Sequence, residues 1–150
     1  MKPFIVLLSV FAISLLTIKL LEGNYQFALS ARIAMSVMLL FTAIAHFAFT
    51  KGMAMMLPSS IPYKTEIVYL TGIIEIAAAL GLLFPSISTL TGWLLIAFFI
   101  LILPANIYAA IHHIDYQKGT FEGKRKSYLW FRVPLQILFI IWVYFSTIAV

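Results

Sequence analysis

The sequence has 150 residues, of which 63% are apolar and only 10% are charged, and its formal net charge is +5. A soluble domain carries roughly 25% charged residues, and a chain of about 150 residues buries only about 70% of the surface that it exposes when unfolded. The composition therefore excludes a soluble globular domain, a disordered chain and a coiled coil, and it indicates an integral membrane protein of one domain. Cysteine is absent, which excludes disulfides, thiol redox chemistry and cysteine-ligated metals.

Long uncharged runs predict helices and no β-barrel. Residues 76–114 contain no Asp, Glu, Lys or Arg, whereas barrel strands alternate apolar and polar residues over about 10 positions. A helix satisfies its own backbone hydrogen bonds in hydrocarbon, and about 20 apolar residues are enough to span it. We therefore predict an all-α membrane protein, with a tight break at residues 85–89 and five spans at approximately residues 3–21, 29–50, 66–84, 90–112 and 128–150.

The first predicted span, residues 3–21, has an alternative interpretation as a signal peptide, because it begins with a basic residue and continues with an apolar body. That body is long for a signal sequence, and no A-x-A cleavage site follows Leu21. We therefore interpret the segment as a membrane-spanning helix that remains in the protein.

Basic residues predict the orientation. Eight of the ten Lys and Arg residues lie at the N-terminus, in the 51–65 loop and in the 112–132 region, whereas only Lys19 and Arg32 lie on the other side. The positive-inside rule then predicts an inner (cytoplasmic) membrane protein with its N-terminus in the cytoplasm and its C-terminus outside. We expect the basic run at 124–126 to fix this topology and to contact anionic lipid. The aromatic residues lie mostly away from this run, so no nucleic-acid partner is expected.

Several polar residues fall inside the predicted spans. Glu75 lies nine residues beyond Glu66, about 13 Å into the bilayer. Ionisable residues inside spans are costly and usually face the interior of a helix bundle, where they mark functional sites. Counting residues from the predicted helix ends places polar side chains of four spans in the same, cytoplasmic half of the membrane. We therefore predict a polar pocket formed by His46, Glu75, Asn106, Tyr108, Arg132 and Gln136.

A purely structural interpretation of the same residues stays open. The Arg132 side chain can extend to the headgroups. Asn106 and Gln136 can bond backbone groups freed by Pro104 and Pro134, and Glu75 can simply link helices through a hydrogen bond.

Cofactor sites built on the histidines are weaker alternatives. His46 together with His112 or His113 is a conceivable haem clamp, and His112, His113 and Asp115 are a conceivable metal site. The methionines at 53, 55 and 56 are more typical of packing than of copper ligation. The spacing demands none of these, so no metal site is predicted.

Four stretches carry a resemblance to the DoxX-like family of small bacterial membrane proteins: RIAMSVMLLFTAIAHF, YLTGIIEIAAALGLLFP, LPANIYAAI and WFRVPLQILFIIW. The resemblance extends from Arg32 to the C-terminus. It implies a four-helix bundle formed by spans two to five, to which the first span adds an extra N-terminal helix. The family takes its name from a subunit of a thiosulfate:quinone oxidoreductase, and relatives are linked to membrane redox complexes.

The resemblance and the polar pocket together predict a membrane subunit that binds a quinone-like or other apolar ligand in a redox-associated complex. Any enzymatic role would depend on a partner protein or a borrowed cofactor such as a quinone, because the sequence contains no cofactor motif. The alternative is a non-catalytic accessory or assembly protein that docks onto a larger membrane complex. A transporter is disfavoured by the odd helix count and by the absence of internal repeats.

Overall fold

The computed structural model describes residues 2–123 and 129–150. They form six helices, with the bounds α1 Lys2–Glu22, α2 Phe27–Ala48, α3 Thr50–Ala54, α4 Lys64–Leu83, α5 Pro85–Ile111 and α6 Leu129–Thr147. Five of them are long and apolar enough to cross a membrane. The only β-structure in the described residues is an isolated bridge between Asp115 and Thr120. The prediction of an all-α, multi-pass membrane protein is confirmed.

The junction between α4 and α5 is tighter than the sequence predicted. The break expected over residues 85–89 is instead the first turn of α5, which begins at Pro85. Proline suits this position because the first helical residues have no use for their backbone N–H groups within the helix. Phe84 has an extended backbone between the two helices, and its carbonyl accepts a hydrogen bond from the backbone N–H of Ile87 (3.1 Å). One residue therefore makes the connection.

The segment between α5 and α6 is described as far as residue 123. The Asp115 carboxylate accepts hydrogen bonds from the backbone N–H groups of Gln117 (3.0 Å) and Lys118 (3.2 Å), which closes a turn. The basic run at 124–126 and the predicted start of the last span at Tyr128 lie outside the described residues.

Four of the long helices contact one another in a cycle. α2 contacts α4, α4 contacts α5, α5 contacts α6, and α6 contacts α2, whereas α1 packs mainly on α2. α2 and α4 run antiparallel, since Ser36 of α2 bonds Ala79 of α4 while His46 of α2 lies against Val68. α5 and α6 also run antiparallel, since Thr89 bonds Thr147 while Asn106 bonds Arg132. The core between the helices is apolar, and its fully buried side chains include Leu7, Met35, Met38, Leu39, Leu82, Leu95 and Val143.

One end of the helices carries Lys51, Lys64 and Lys118, and we call it the basic end; the α4–α5 connection marks the opposite end, the turn end. At the basic end, α3 packs directly against the 112–123 segment. A Cβ atom added to the buried Gly52 would overlap the backbone carbonyl of Tyr116, and the Phe49 and Tyr116 rings meet edge to face with centroids 6.2 Å apart. A backbone atom cannot move aside by changing rotamer, so glycine is required at position 52.

Replacing Gly52 by Ala is expected to separate α3 from the 112–123 segment and to lower the free energy of unfolding by about 1–3 kcal/mol, as other overpacked contacts do. Thermal unfolding of the detergent-solubilised protein measures the loss. Ser60→Ala is the matched control, because Ser60 is exposed in the same connection. Equal melting temperatures for the two variants would contradict the assigned contact.

Candidate functional site

Glu75 is buried in the membrane-spanning part of the protein and has two partners on α2. It is 5% exposed and lies eleven residues from the start of α4, about 16 Å along the helix axis. The Thr42 hydroxyl donates to Glu75 Oε2 (2.8 Å), and His46 Nε2 lies 3.4 Å from Glu75 Oε1. Thr42 and His46 are four residues apart, so one face of α2 presents both side chains to α4.

The other ring nitrogen of His46 contacts α4 on the N-terminal side of Glu75. His46 Nδ1 lies 3.1 Å from the Val68 carbonyl oxygen and 3.0 Å from the Thr71 hydroxyl, which itself donates to the Val68 carbonyl (2.9 Å). A carbonyl oxygen only accepts hydrogen bonds, whereas a hydroxyl group can donate or accept. These contacts hold the imidazole ring against α4 with Nε2 turned toward Glu75 Oε1.

A glycine on α4 makes this approach possible. A Cβ atom on Gly72 would lie 2.9 Å from His46 Cβ and 3.1 Å from the Phe47 ring. The absent side chain lets α2 and α4 come close enough for His46 to reach Glu75. Beside them, the half-exposed rings of Phe47 and Tyr69 stack with centroids 5.8 Å apart, on the surface that faces lipid.

A second polar group links α5 and α6. Arg132 Nη2 donates to Asn106 Oδ1 (2.8 Å), and Gln136 Nε2 donates to the Phe99 carbonyl (2.9 Å). Asn106 and Gln136 are both buried. Proline has no backbone N–H, so Pro104 leaves the carbonyl four residues earlier without its usual donor within the helix. The Phe99 carbonyl, which Gln136 bonds, belongs to the residue just before that one. Gln136 therefore serves the backbone of α5 near Pro104, and not its own helix near Pro134.

The remaining predicted residue, Tyr108, stacks on His112 one helical turn away, with ring centroids 3.9 Å apart. The other five predicted site residues lie in two groups, each between a different pair of helices. We name them the Glu75 group (Thr42, His46, Thr71 and Glu75) and the Arg132 group (Asn106, Arg132 and Gln136). Both groups lie toward the basic end, on two different pairs of helices.

The sequence did not indicate Thr42 and Thr71 as members of the site. Thr42 precedes His46 by one helical turn, which is a weak signal that a polar face exists on α2. Nothing in the sequence shows that this face is turned toward Glu75.

A groove of about 280 Å³ lies elsewhere, toward the turn end between α1, α2 and α6. Its walls are almost entirely apolar, and its residues are Phe11, Phe27, Ala28, Ala31, Leu138, Ile141, Trp142, Phe145 and Ser146. None of the six residues predicted for the pocket lines it.

The alternative cofactor sites gain no support from the geometry. Among residues 2–123 and 129–150, no cluster of three or more His, Asp or Glu side chains is placed to hold a metal ion. Asp115 instead caps a turn, and His112 Nδ1 lies 2.9 Å from the Tyr108 carbonyl oxygen. Haem ligation by His46 would require breaking a contact that one of its ring nitrogens already makes.

Comparison with known proteins gives one match. The family model described as a domain of unknown function, DUF8561, matches residues 35–147, which include every residue of both polar groups. The chain belongs to this family. No curated protein and no solved structure matches the sequence.

Replacing Thr42 by Val is expected to lower the free energy of unfolding by about 1–3 kcal/mol, because it removes a donor from a buried carboxyl group. Thr42→Ser keeps the hydroxyl and is expected to stay close to the wild type. Unfolding in detergent, followed by circular dichroism, measures both variants. A serine variant as unstable as the valine variant would show that the methyl group of Thr42, and not its hydroxyl, is what matters.

Proposed function

We propose that this member of the DUF8561 family is a DoxX-like subunit of a redox-associated complex in the inner membrane, and that it binds a quinone-like or other apolar ligand at its basic end. The observation that carries the proposal is the Glu75–His46 pair, in which a carboxyl group and an imidazole lie 3.4 Å apart within the membrane-spanning part of the chain. Ionisable side chains at such a depth are retained mainly where they serve a proton or ligand path.

The chemistry of a quinone suits this pair. Reduction of a quinone to a quinol adds electrons and an equal number of protons to its carbonyl oxygens. A carboxyl group and an imidazole in contact can pass a proton to a quinone oxygen and then be reprotonated by a neighbouring donor. The chain contains no cysteine, so in this proposal a partner protein supplies the electrons and the Glu75 group supplies protons.

The surroundings of the pair favour entry of a ring from lipid. Phe47 is 44% exposed and Tyr69 is 42% exposed, and their stacked rings lie on the outer surface beside the Glu75 group. Flat apolar molecules stack on such rings. Tyr108 and Phe131 provide further aromatic surface at the basic end, and the Arg132 group provides donors for a carbonyl oxygen.

The arrangement of the helices supports the DoxX-like part of the proposal. The cyclic contacts of α2, α4, α5 and α6 agree with a four-helix bundle, and α1 agrees with an additional helix on its outside. Orientation is part of the same proposal. The clustering of Lys51, Lys64 and Lys118 supports a cytoplasmic basic end under the positive-inside rule.

Replacing Glu75 by Gln is expected to lower the occupancy of a bound quinone about tenfold, since removing an acid–base partner typically costs a hydrogen bond worth about 1.5 kcal/mol. The protein is extracted from its native membrane, its bound quinone is measured by mass spectrometry, and binding of a short-chain benzoquinone is then titrated in nanodiscs. Glu66→Gln is the control, because Glu66 is exposed at the start of the same helix.

Infrared difference spectroscopy separates a proton role from a packing role. On reduction of the bound benzoquinone, we expect a carboxyl C=O band that is present in the wild type and in Glu66→Gln and is lost in Glu75→Gln. Wild-type protein that carries no quinone and binds no benzoquinone would overturn the proposal.

A non-catalytic accessory or assembly protein is the second candidate. It is favoured by the fact that the side chains of the Glu75 group are bonded to one another and to the backbone of α4, as in a structural link between helices. In that case, Glu75→Gln lowers stability without changing quinone content, and the protein copurifies with a stable membrane complex that the variant still joins.

Single cysteines introduced into this cysteine-free chain test the orientation. Ser86→Cys, exposed at the turn end, is expected to react with a membrane-impermeant maleimide in intact cells. Ser59→Cys, exposed near the basic end, is expected to react only after the membrane is opened. The reverse labelling pattern would place the basic end outside the cell.

A further inference from the structure

Arg32 lies at the turn end, far along α2 from the Glu75 group. It is the sixth residue of α2, about 8 Å from the start of the helix. We propose that Arg32 and the first turn of α5 form a binding site for an oxyanion, either a phosphate or a carboxylate group. This site is separate from the proposed quinone site and does not depend on it.

Within residues 2–123 and 129–150, Arg32 forms no ion pair with a carboxylate. The chain has five acidic residues, and all five are in the described part of the structure. Glu75 pairs with His46, and Glu22 accepts a hydrogen bond from Gln26 at the exposed end of α1. The other three, Glu66, Asp115 and Glu122, belong to the basic end. An arginine inside a span normally pairs with an opposite charge or lines a polar path, so the missing partner points to a ligand.

The Arg32 guanidinium group is held in place, but its hydrogen-bond donors are not all used. Arg32 Nη1 donates to the Ser88 hydroxyl (3.2 Å), and Ser88 donates in turn to the Pro85 carbonyl (3.2 Å). Arg32 Nε is buried without a hydrogen-bond partner within residues 2–123 and 129–150. Arginine has five N–H donors, and a buried donor that stays unpaired, such as Nε, is costly. Ser88 is buried, so this contact fixes the Arg32 side chain between α2 and α5.

The first turn of α5 adds to the positive potential. This helix is 27 residues long and has no acidic residue in its first turn, so the positive end of its dipole is not compensated. Arg32 lies against that end through Ser88. The planar fork of a guanidinium group matches two oxygens of one phosphate or carboxylate. Arg32 is half-buried, so an anion can approach through its exposed part.

Two sources can present this chemistry: the phosphate of a phospholipid headgroup, or a free anion from the aqueous side. Arg32 is about 8 Å from the helix start, a depth that favours a lipid. The apolar groove formed partly by Ala28 and Ala31 lies on the same stretch of α2 and is open to an acyl chain.

The test compares Arg32→Gln with Lys19→Gln, a control that removes one positive charge from an exposed side chain at the same end. Protein in nanodiscs of equal parts phosphatidylcholine and phosphatidylglycerol is released into the gas phase, and retained phosphatidylglycerol is counted by native mass spectrometry. In parallel, inorganic phosphate is titrated against the detergent-solubilised protein, and binding is followed as a rise in melting temperature. We expect Arg32→Gln to lower the affinity about tenfold or more and Lys19→Gln to leave it within about twofold.

The two arms identify the source. Retained phosphatidylglycerol that depends on Arg32 identifies a headgroup site, and an Arg32-dependent phosphate shift without lipid retention identifies a free anion. If Arg32→Gln does not fold, Arg32→Lys and Ser88→Ala provide the same comparison, because lysine keeps the charge but loses the fork, and alanine releases the arginine from its position. Neither lipid retention nor a phosphate shift in the wild type, or equal losses in Arg32→Gln and Lys19→Gln, overturns the proposal.

Discussion

A polar group inside the hydrocarbon of a membrane has to find its hydrogen-bond partner within the protein, because no water is present to replace it. The hydrophobic effect does not favour one helix over lipid as a neighbour, so polar bonds and close packing select which helices meet. In this protein, side chains on one helix repeatedly bond the backbone of the next. Examples are Ser36 with the Ala79 carbonyl, Gln136 with the Phe99 carbonyl and Trp142 with the Ala31 carbonyl.

The same constraint explains why the spans could be predicted from the sequence and the site only in part. Composition and run length identify a membrane span without any knowledge of its neighbours, and all five were recognised. The rise of 1.5 Å per residue also gives the depth of each polar residue. It placed His46 and Glu75 in the same half of the membrane, and in the structure their side chains lie 3.4 Å apart.

Depth, however, says nothing about the direction in which a side chain points around its helix. The contact of His46 with Glu75 depends on the rotation of α2 and on the absence of a side chain at Gly72. Arg132 lies toward the same end of the helices as His46. Its hydrogen-bond acceptor, however, is the Asn106 side chain on α5. Rotation and helix pairing depend on the whole packed structure and do not follow from depth. The sequence therefore predicted one pocket, whereas the side chains lie in two groups on different pairs of helices. The start of α5 at Pro85 was not predicted for a simpler reason. The proline was interpreted as a break between helices, whereas it is the first residue of α5.

The length of α5 has a further consequence. Its 27 residues extend about 40 Å at 1.5 Å per residue, whereas the hydrocarbon layer is about 30 Å thick. The described part of α6, Leu129–Thr147, has 19 residues and matches that thickness at about 28 Å. Two adjacent helices of such unequal length cannot both stand upright with matched ends, so α5 either tilts or projects into the headgroups. Hydrophobic mismatch then makes the packing of this pair sensitive to bilayer thickness, and thicker membranes favour the more upright α5.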